Sequence, residues 1–193
     1  MPVKAGSPID PEATRARVLA SASKLFYERG VHVVGVDEIA QHAGASKLTV
    51  YRNFGSKAGL VEAVVANRSD RTHAWLEHGI ADVPPGPDRV LALFDMFTGW
   101  YAEDGYLGCG VLQAAVETRA KPGPIPRRHL ARYLDLFRRL LAECGIAEPA
   151  GYARRMLLLI EGATVVSSIE GTAEAGRDAR AMAELLLTTA PKS

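Results

Sequence analysis

The chain has 193 residues, of which 48% are hydrophobic and 23% charged, enough apolar content for a sizeable core. Its longest uninterrupted apolar stretch, Met156 to Ile160, is far short of the roughly 20 residues a membrane span needs, and Cys109 and Cys144 are too isolated for a disulfide framework or a metal site. The net charge of +1 hides an asymmetry: residues 1–60 carry eight Lys and Arg against five Asp and Glu, while residues 61–193 carry fifteen against seventeen.

The N-terminus, Met1 to Glu12, has no apolar run and is broken by three prolines, so it does not read as a signal peptide. A first helix opens with Asp10 as cap and Pro11 in the first turn. It carries Val18, Leu19, Ala22, Leu25 and Phe26 at helical spacing and stops at Gly30. A short second helix follows Gly35, with Asp37 and Glu38 in the first turn, where the helix dipole favours acids. Glu38, three residues past Gly35, supplies half of a capping box. Gly44 ends this helix in a left-handed conformation, and Ser46 caps the next. On that third helix Val50 and Phe54 share the core face, while Lys47, Leu48, Tyr51 and Arg52 cover the opposite face with Thr49 at its edge. Two short helices around a three-residue turn form a helix-turn-helix, whose second helix enters the major groove of DNA.

This block resembles the DNA-binding domain of the tetracycline-repressor (TetR) family of bacterial transcriptional regulators. The resemblance rests on Phe26 to Gly30, on Ile39 to Ser46 and on Tyr51 to Lys57, within roughly residues 13 to 62. Three positions depart from the family pattern: Gly35 stands for a common Thr, Leu48 for a frequent Gly and Gly59 for a frequent Glu. The first and third weaken caps by up to about 1 kcal/mol, and Leu48 changes which base edges are read.

A long helix then starts after Ser56 and runs past Ala74 to include Trp75, and Gly79 to Asp88 is a loop. A helix from about 89 to 102 bears Phe97, Trp100 and Tyr101; the cluster Gly105 to Gly110 breaks it before a helix through Arg119. That cluster lacks the spacing and the preceding strand of a dinucleotide fingerprint and reads as a connection. Relatives in the family carry a Gly-Cys, an apolar helix and a Glu here, which Cys109, Leu112 and Glu117 resemble. After the Pro/Gly segment Lys121 to Pro126, further helices fall at about 125–144, 149–171 and 175–189. No alternating apolar run predicts a strand. The expectation is an all-α chain of about nine helices, with a DNA-binding domain over residues 1–60 and a helical ligand-binding and dimerisation domain over 61–193.

Three functional parts follow. Lys47, Leu48, Thr49 and Arg52 reach base edges: a basic side chain suits guanine N7 and O6, and Leu48 suits a thymine methyl. The resemblance adds Ser46, Thr49, Tyr51 and Lys57 as phosphate contacts, and Lys57 lies at a helix N-terminus that already attracts phosphate. A head of this size calls for a dimer. Gly162, Ala163, Ser167 and Gly171 on one helix, with Ala179, Met182, Ala183 and Leu186 on the last, offer an interface, although such a stripe equally suits a protomer's own core. The resemblance implies a four-helix dimer bundle there. A pocket for a small apolar or aromatic effector is expected from Phe97, Trp100, Tyr101, Cys109, Leu112, Val116, Tyr133, Phe137 and Leu158, with Glu117 and Glu161 as polar anchors. Those two acids sit on apolar stretches and serve either as anchors or as partners of an Arg such as Arg119 or Arg155.

Catalysis is not indicated. The histidines at 32, 42, 73, 78 and 129 show no metal-ligand spacing, and there is no nucleophile elbow or phosphate-binding loop. No cofactor or metal is implied. The two cysteines fit buried thiols in a reducing cytoplasm, with redox sensing as the alternative. The expected protein is a cytoplasmic homodimeric repressor bound to operator DNA and released by an effector. The rival is an all-helical binding protein or enzyme with a vestigial head.

Overall fold

The computed structural model describes residues 10–117 and 123–192, so the expected continuation of the sixth helix to Arg119 lies outside the described residues. Among these residues nine helices form: α1 Pro11–Arg29, α2 Val36–Ala43, α3 Lys47–Phe54, α4 Lys57–Gly79, α5 Pro87–Tyr101, α6 Gly110–Glu117, α7 Pro124–Glu143, α8 Pro149–Glu170 and α9 Glu174–Thr189. No strand pair forms among them beyond an isolated antiparallel bridge between Ile146 and Lys192.

The helix ends follow local chemistry. Asp10 accepts from the Glu12 and Ala13 amides at 2.9 and 3.2 Å, with Pro11 at the first helical position, where its missing N–H costs nothing. Pro87 and Pro149 open α5 and α8 in the same way. The expected capping box at α2 does not close. Gly35 has no side chain to offer, and the Glu38 carboxylate instead pairs with Arg29 at the end of α1, where an opposite charge outcompetes a local amide.

The chain divides into two compact units. The first holds the described residues up to Ser69 and those from Gly110 to Ile125; the second holds Asp70–Cys109 and Pro126 onward. The expected boundary at residue 60 therefore falls inside α4, whose residues through Ser69 group with the head, as does α6. In the first unit α1, α2 and α3 pack on one another around Val18, Ala22, Val34, Ile39, Val50 and Leu60, all essentially without exposure. In the second unit α5, α8 and α9 pack together, and the core adds Phe94, Phe137, Leu140, Leu141, Met156 and Ile160. None of the described helices is long and apolar enough to cross a membrane.

Candidate nucleic-acid interface

The turn before α3 depends on Gly44, which takes φ 61 and ψ 37 while its N–H reaches back to the carbonyls of Ala40 and Gln41. A side chain there would be strained in that conformation. Ser46 then caps α3: its Oγ accepts from the Thr49 amide at 3.1 Å and lies 2.8 Å from Thr49 Oγ1. With the helix so anchored, Val50 points into the head core, and Phe54 is half-buried with the Arg15 guanidinium 5.1 Å from its ring centroid. The opposite face is open. Leu48 is 59% exposed and Tyr51 39%, and Ser46, Lys47 and Arg52 are exposed, with Thr49 intermediate. Lys57 occupies the first position of α4, where Ser56 Oγ takes up the Gly59 amide at 3.0 Å.

One feature of this face was not visible in the sequence. Lys47 Nζ lies 2.9 Å from Asp37 Oδ2 on α2, and the hydrogen bond and charge of Asp37 raise the lysine pKa. Any phosphate or base reached by Lys47 competes with that carboxylate.

Glu117, expected as a polar anchor of a ligand pocket, lies in the first unit and caps backbone amides there. Its Oε2 accepts from the amides of Val31 at 2.6 Å and His32 at 3.3 Å, and His32 Nε2 lies 2.6 Å from the Glu117 carbonyl, to which it donates. Gly30 allows this approach. It has φ +86, and a Cβ there would lie 3.1 Å from Glu117 Oε2. Leu112 and Val116 share α6 and this unit; Val116 is 78% exposed, so it walls no cavity. Nearby, Arg68 covers the Tyr27 ring at 4.0 Å from its centroid.

The second unit gathers the other expected aromatics. Phe97 lies with ring centroids 6.0 Å from Trp100, Tyr101 and Tyr133. Two rings missing from the expected set join them: Trp75, 5.8 Å from Phe97, and Tyr106, 5.0 Å from Trp100 and 5.2 Å from Tyr101. The Tyr101 hydroxyl donates to the Ile160 carbonyl at 3.2 Å, and the Tyr106 hydroxyl donates to the Thr164 carbonyl at 3.0 Å. Burial pushes the Tyr101 and Tyr133 hydroxyls up, beyond the usual phenol range. Phe137 is wholly buried against Phe94, at 6.0 Å, as part of the hydrophobic core. Leu158 is 66% exposed and so is not a cavity wall.

Glu161 is half-buried, and its Oε2 is buried without a hydrogen-bond partner. Burial pushes its carboxyl up to about 7. Arg155, one expected partner, stacks on Tyr152 at 4.4 Å; Arg119, the other, lies outside the described residues.

A buried imidazole pair, also unread in the sequence, stands beside these rings. His73 Nε2 lies 3.1 Å from the His129 carbonyl and 3.2 Å from His129 Nδ1, while His129 Nε2 lies 3.7 Å from Cys109 Sγ. A carbonyl only accepts, so His73 carries its proton on Nε2. His129 Nδ1 then accepts, which leaves its proton on Nε2 toward the sulfur. Burial lowers the pKa values to about 4 for His73 and about 3 for His129.

The small-residue stripe expected at a dimer interface is largely spent within the chain. Ala163, Ser167, Ala179 and Ala183 are buried, and Leu186 packs half-buried on the core, because α9 lies close against α5 and α8. Gly162, Gly171 and Met182 remain exposed. Outward on the same two helices stand Leu158, Val165, Val166 and Ile169 of α8, with Met182 and Leu185 of α9.

Residues 18–64 match the family model of the bacterial regulatory proteins of the tetR family. The chain is similar to the HTH-type transcriptional activator FasR of Mycolicibacterium smegmatis, at 30% identity over 99 residues, 51% of this chain and 45% of that protein. It is also similar to the HTH-type transcriptional repressor SCO4008 of Streptomyces coelicolor, at 31% identity over 93 residues, 48% of this chain and 45% of that protein. The matches thus span somewhat under half the length of these curated relatives. A solved structure of SCO4454, a TetR-family transcriptional regulator from Streptomyces coelicolor, shares the fold with a TM-score of 0.85 at 24% identity, covering 95% of this chain and 97% of that one.

Proposed function

Because the chain belongs to the tetR family of bacterial regulatory proteins, we propose that it is a homodimeric repressor that holds a near-palindromic operator and releases it when a small apolar or aromatic molecule occupies the second unit. The observation that carries this reading is the capped, rigid α3 with Leu48, Tyr51 and Arg52 exposed on one face. Arg52 and Lys47 suit guanine edges, and Leu48 suits a thymine methyl. Ser46, Thr49, Tyr51 and Lys57 suit phosphates, which set register rather than sequence.

A second copy is required because one head offers little area and charge. Two-fold symmetry would place two α3 helices about 34–36 Å apart, one turn of DNA. The exposed apolar residues of α8 and α9 supply the surface for pairing. The ligand acts by binding the released state better; a 100-fold preference supplies about 2.7 kcal/mol.

Gel-shift titration with promoter DNA tests the reading. Specific retardation is expected, weakening steeply with salt as counterions are released, and lost in Tyr51→Ala and Arg52→Ala. Unchanged operator binding by both variants would overturn the groove assignment. Thermal-shift screening of neutral apolar and aromatic compounds, repeated on Trp100→Ala, tests the pocket: stabilising hits that the variant loses are expected.

A further inference from the structure

We propose that Glu161 anchors the positive charge of a cationic aromatic or alkylammonium ligand, held against the rings of Trp100, Tyr101, Tyr106 and Tyr133. This rests on the reading that the second unit takes a small molecule, and it assigns that molecule's charge.

Glu161 lies on α8 among Ile160, Ala163 and Thr164, all buried, and its Oε2 finds no hydrogen-bond partner. A buried carboxylate oxygen left without a partner costs the fold free energy, so a polar group brought by a ligand gains what the protein forgoes. The Tyr101 and Tyr106 hydroxyls are committed elsewhere. Tyr101 donates to the Ile160 carbonyl and lies 2.9 Å from Thr164 Oγ1, and Tyr106 donates to the Thr164 carbonyl. These bonds bring both tyrosines against the same turns of α8 that carry Glu161. The acid also lies close enough to the Tyr101 and Tyr133 hydroxyls to push them upward by its charge.

Among the described residues no basic side chain hydrogen-bonds to Glu161 Oε2. Burial is what raises the Glu161 carboxyl. The two basic rings of the neighbourhood, His73 and His129, are held neutral by burial. The Tyr101 and Tyr133 rings, which the Glu161 charge reaches, belong to a cluster of aromatic rings. Trp100 and Tyr106 meet edge to face with centroids 5.0 Å apart, while Tyr101 and Tyr106 at 5.2 Å and Trp100 and Tyr101 at 6.0 Å are tilted. Aromatic faces carry negative potential and attract ammonium groups, most strongly when water is excluded. A carboxylate oxygen without a partner, whose charge reaches the Tyr101 and Tyr133 rings, favours a cation over a neutral or anionic molecule. Trp100, Tyr106 and Glu161 are themselves half-buried, so one side of the group remains reachable.

The test uses the full-length protein and two probes of matched shape, benzyltrimethylammonium and neopentylbenzene, which differ in charge. Calorimetric titration is expected to give at least tenfold tighter binding of the cation. Glu161→Gln is expected to abolish that preference while leaving the hydrocarbon's affinity within twofold. Because the wild-type carboxylate has no partner to lose, the variant is expected to fold with undiminished thermal stability. Equal affinity for both probes, or a preference that survives Glu161→Gln, would overturn the anchor while leaving a ligand-binding unit intact. Binding of neither probe would also overturn it. The pocket itself then stands or falls separately on the neutral-compound screen and Trp100→Ala.

Discussion

Lys47 illustrates how one side chain in the head is set by two demands. On bare α3 it would be an unpaired cation on the outer face, yet Asp37 Oδ2 holds it at 2.9 Å. Both groups are largely exposed, so the pair adds little to stability, but it places a negative charge on the face proposed to meet DNA. Asp37→Asn is expected to tighten operator binding several-fold, with a steeper fall in affinity as salt rises, because Lys47 then engages DNA without a competitor. Gel shifts at two salt concentrations check this, and unchanged affinity would mean that Lys47 does not touch DNA. Titration supplies a second residue-scale expectation. The His73 and His129 pKa values are lowered to about 4 and about 3, so between about 4 and 6.5 the unfolded chain binds up to two protons that the folded chain refuses. Glu161 works in the opposite sense: raised to about 7, it binds a proton in the folded state that the unfolded chain has already released above about 4.5. From pH 6.5 down to 4.5 the net excess is one proton on the unfolded side, so stability falls on acidification by up to about 1.4 kcal/mol per pH unit. Urea melts across this window should show that slope, and Glu161→Gln should steepen it. A flat profile in both proteins would mean that the imidazoles are not held neutral.

At the scale of the helix, the sequence was most legible where a signal and its partner are neighbours. Asp10 before Pro11, Gly30 and Gly44 at helix ends, and Ser46 three residues ahead of Thr49 all act within one turn, and short-range chemistry decides them. What escaped reading depends on approach across distance. Glu38 closes no box because Arg29, nine residues earlier, claims it. His73 and His129 are 56 residues apart, so no local spacing could announce them. Glu117 looked like a pocket acid because its helix is apolar, whereas its carboxylate lies 85 and 86 residues from the amides it caps. Four of the eight expected interface positions are taken up inside the protomer for a related reason. Small residues suit any close helix contact, and Ala163, Ser167, Ala179 and Ala183 are used inside the protomer. The Glu117 cap can be tested as a property of the loop between α1 and α2. Glu117→Ala leaves the Val31 and His32 amides without their acceptor, at a cost of about 1–3 kcal/mol for buried donors, less where water reaches them. Faster amide exchange at those two residues is the expected signature, and unaltered exchange at both would show that the loop holds itself.

For the whole molecule, the unspent apolar surface on α8 and α9 is the feature with most consequence. Leu158, Val165 and Ile169 stand seven and four residues apart, two turns and then one, and so lie on one side of α8, and Met182 and Leu185 stand three apart on α9. Ile169 is 79% exposed, so it contributes almost nothing to the fold of one chain. A two-fold contact uses every residue twice, and fully burying an Ile side chain is worth about 1.5–3 kcal/mol. Ile169→Glu therefore removes about 3–6 kcal/mol of apolar gain from a dimer and adds two carboxylates that must be desolvated. Sedimentation is expected to show a monomer at concentrations where the wild-type chain is dimeric, with the helical content unchanged. Operator binding should lose its specificity together with the second head. The residual non-specific binding should show a salt slope near half the original, since half the phosphate contacts remain. A variant that stays dimeric would move the interface off this face, and a monomer that still binds the operator tightly would show that one head suffices.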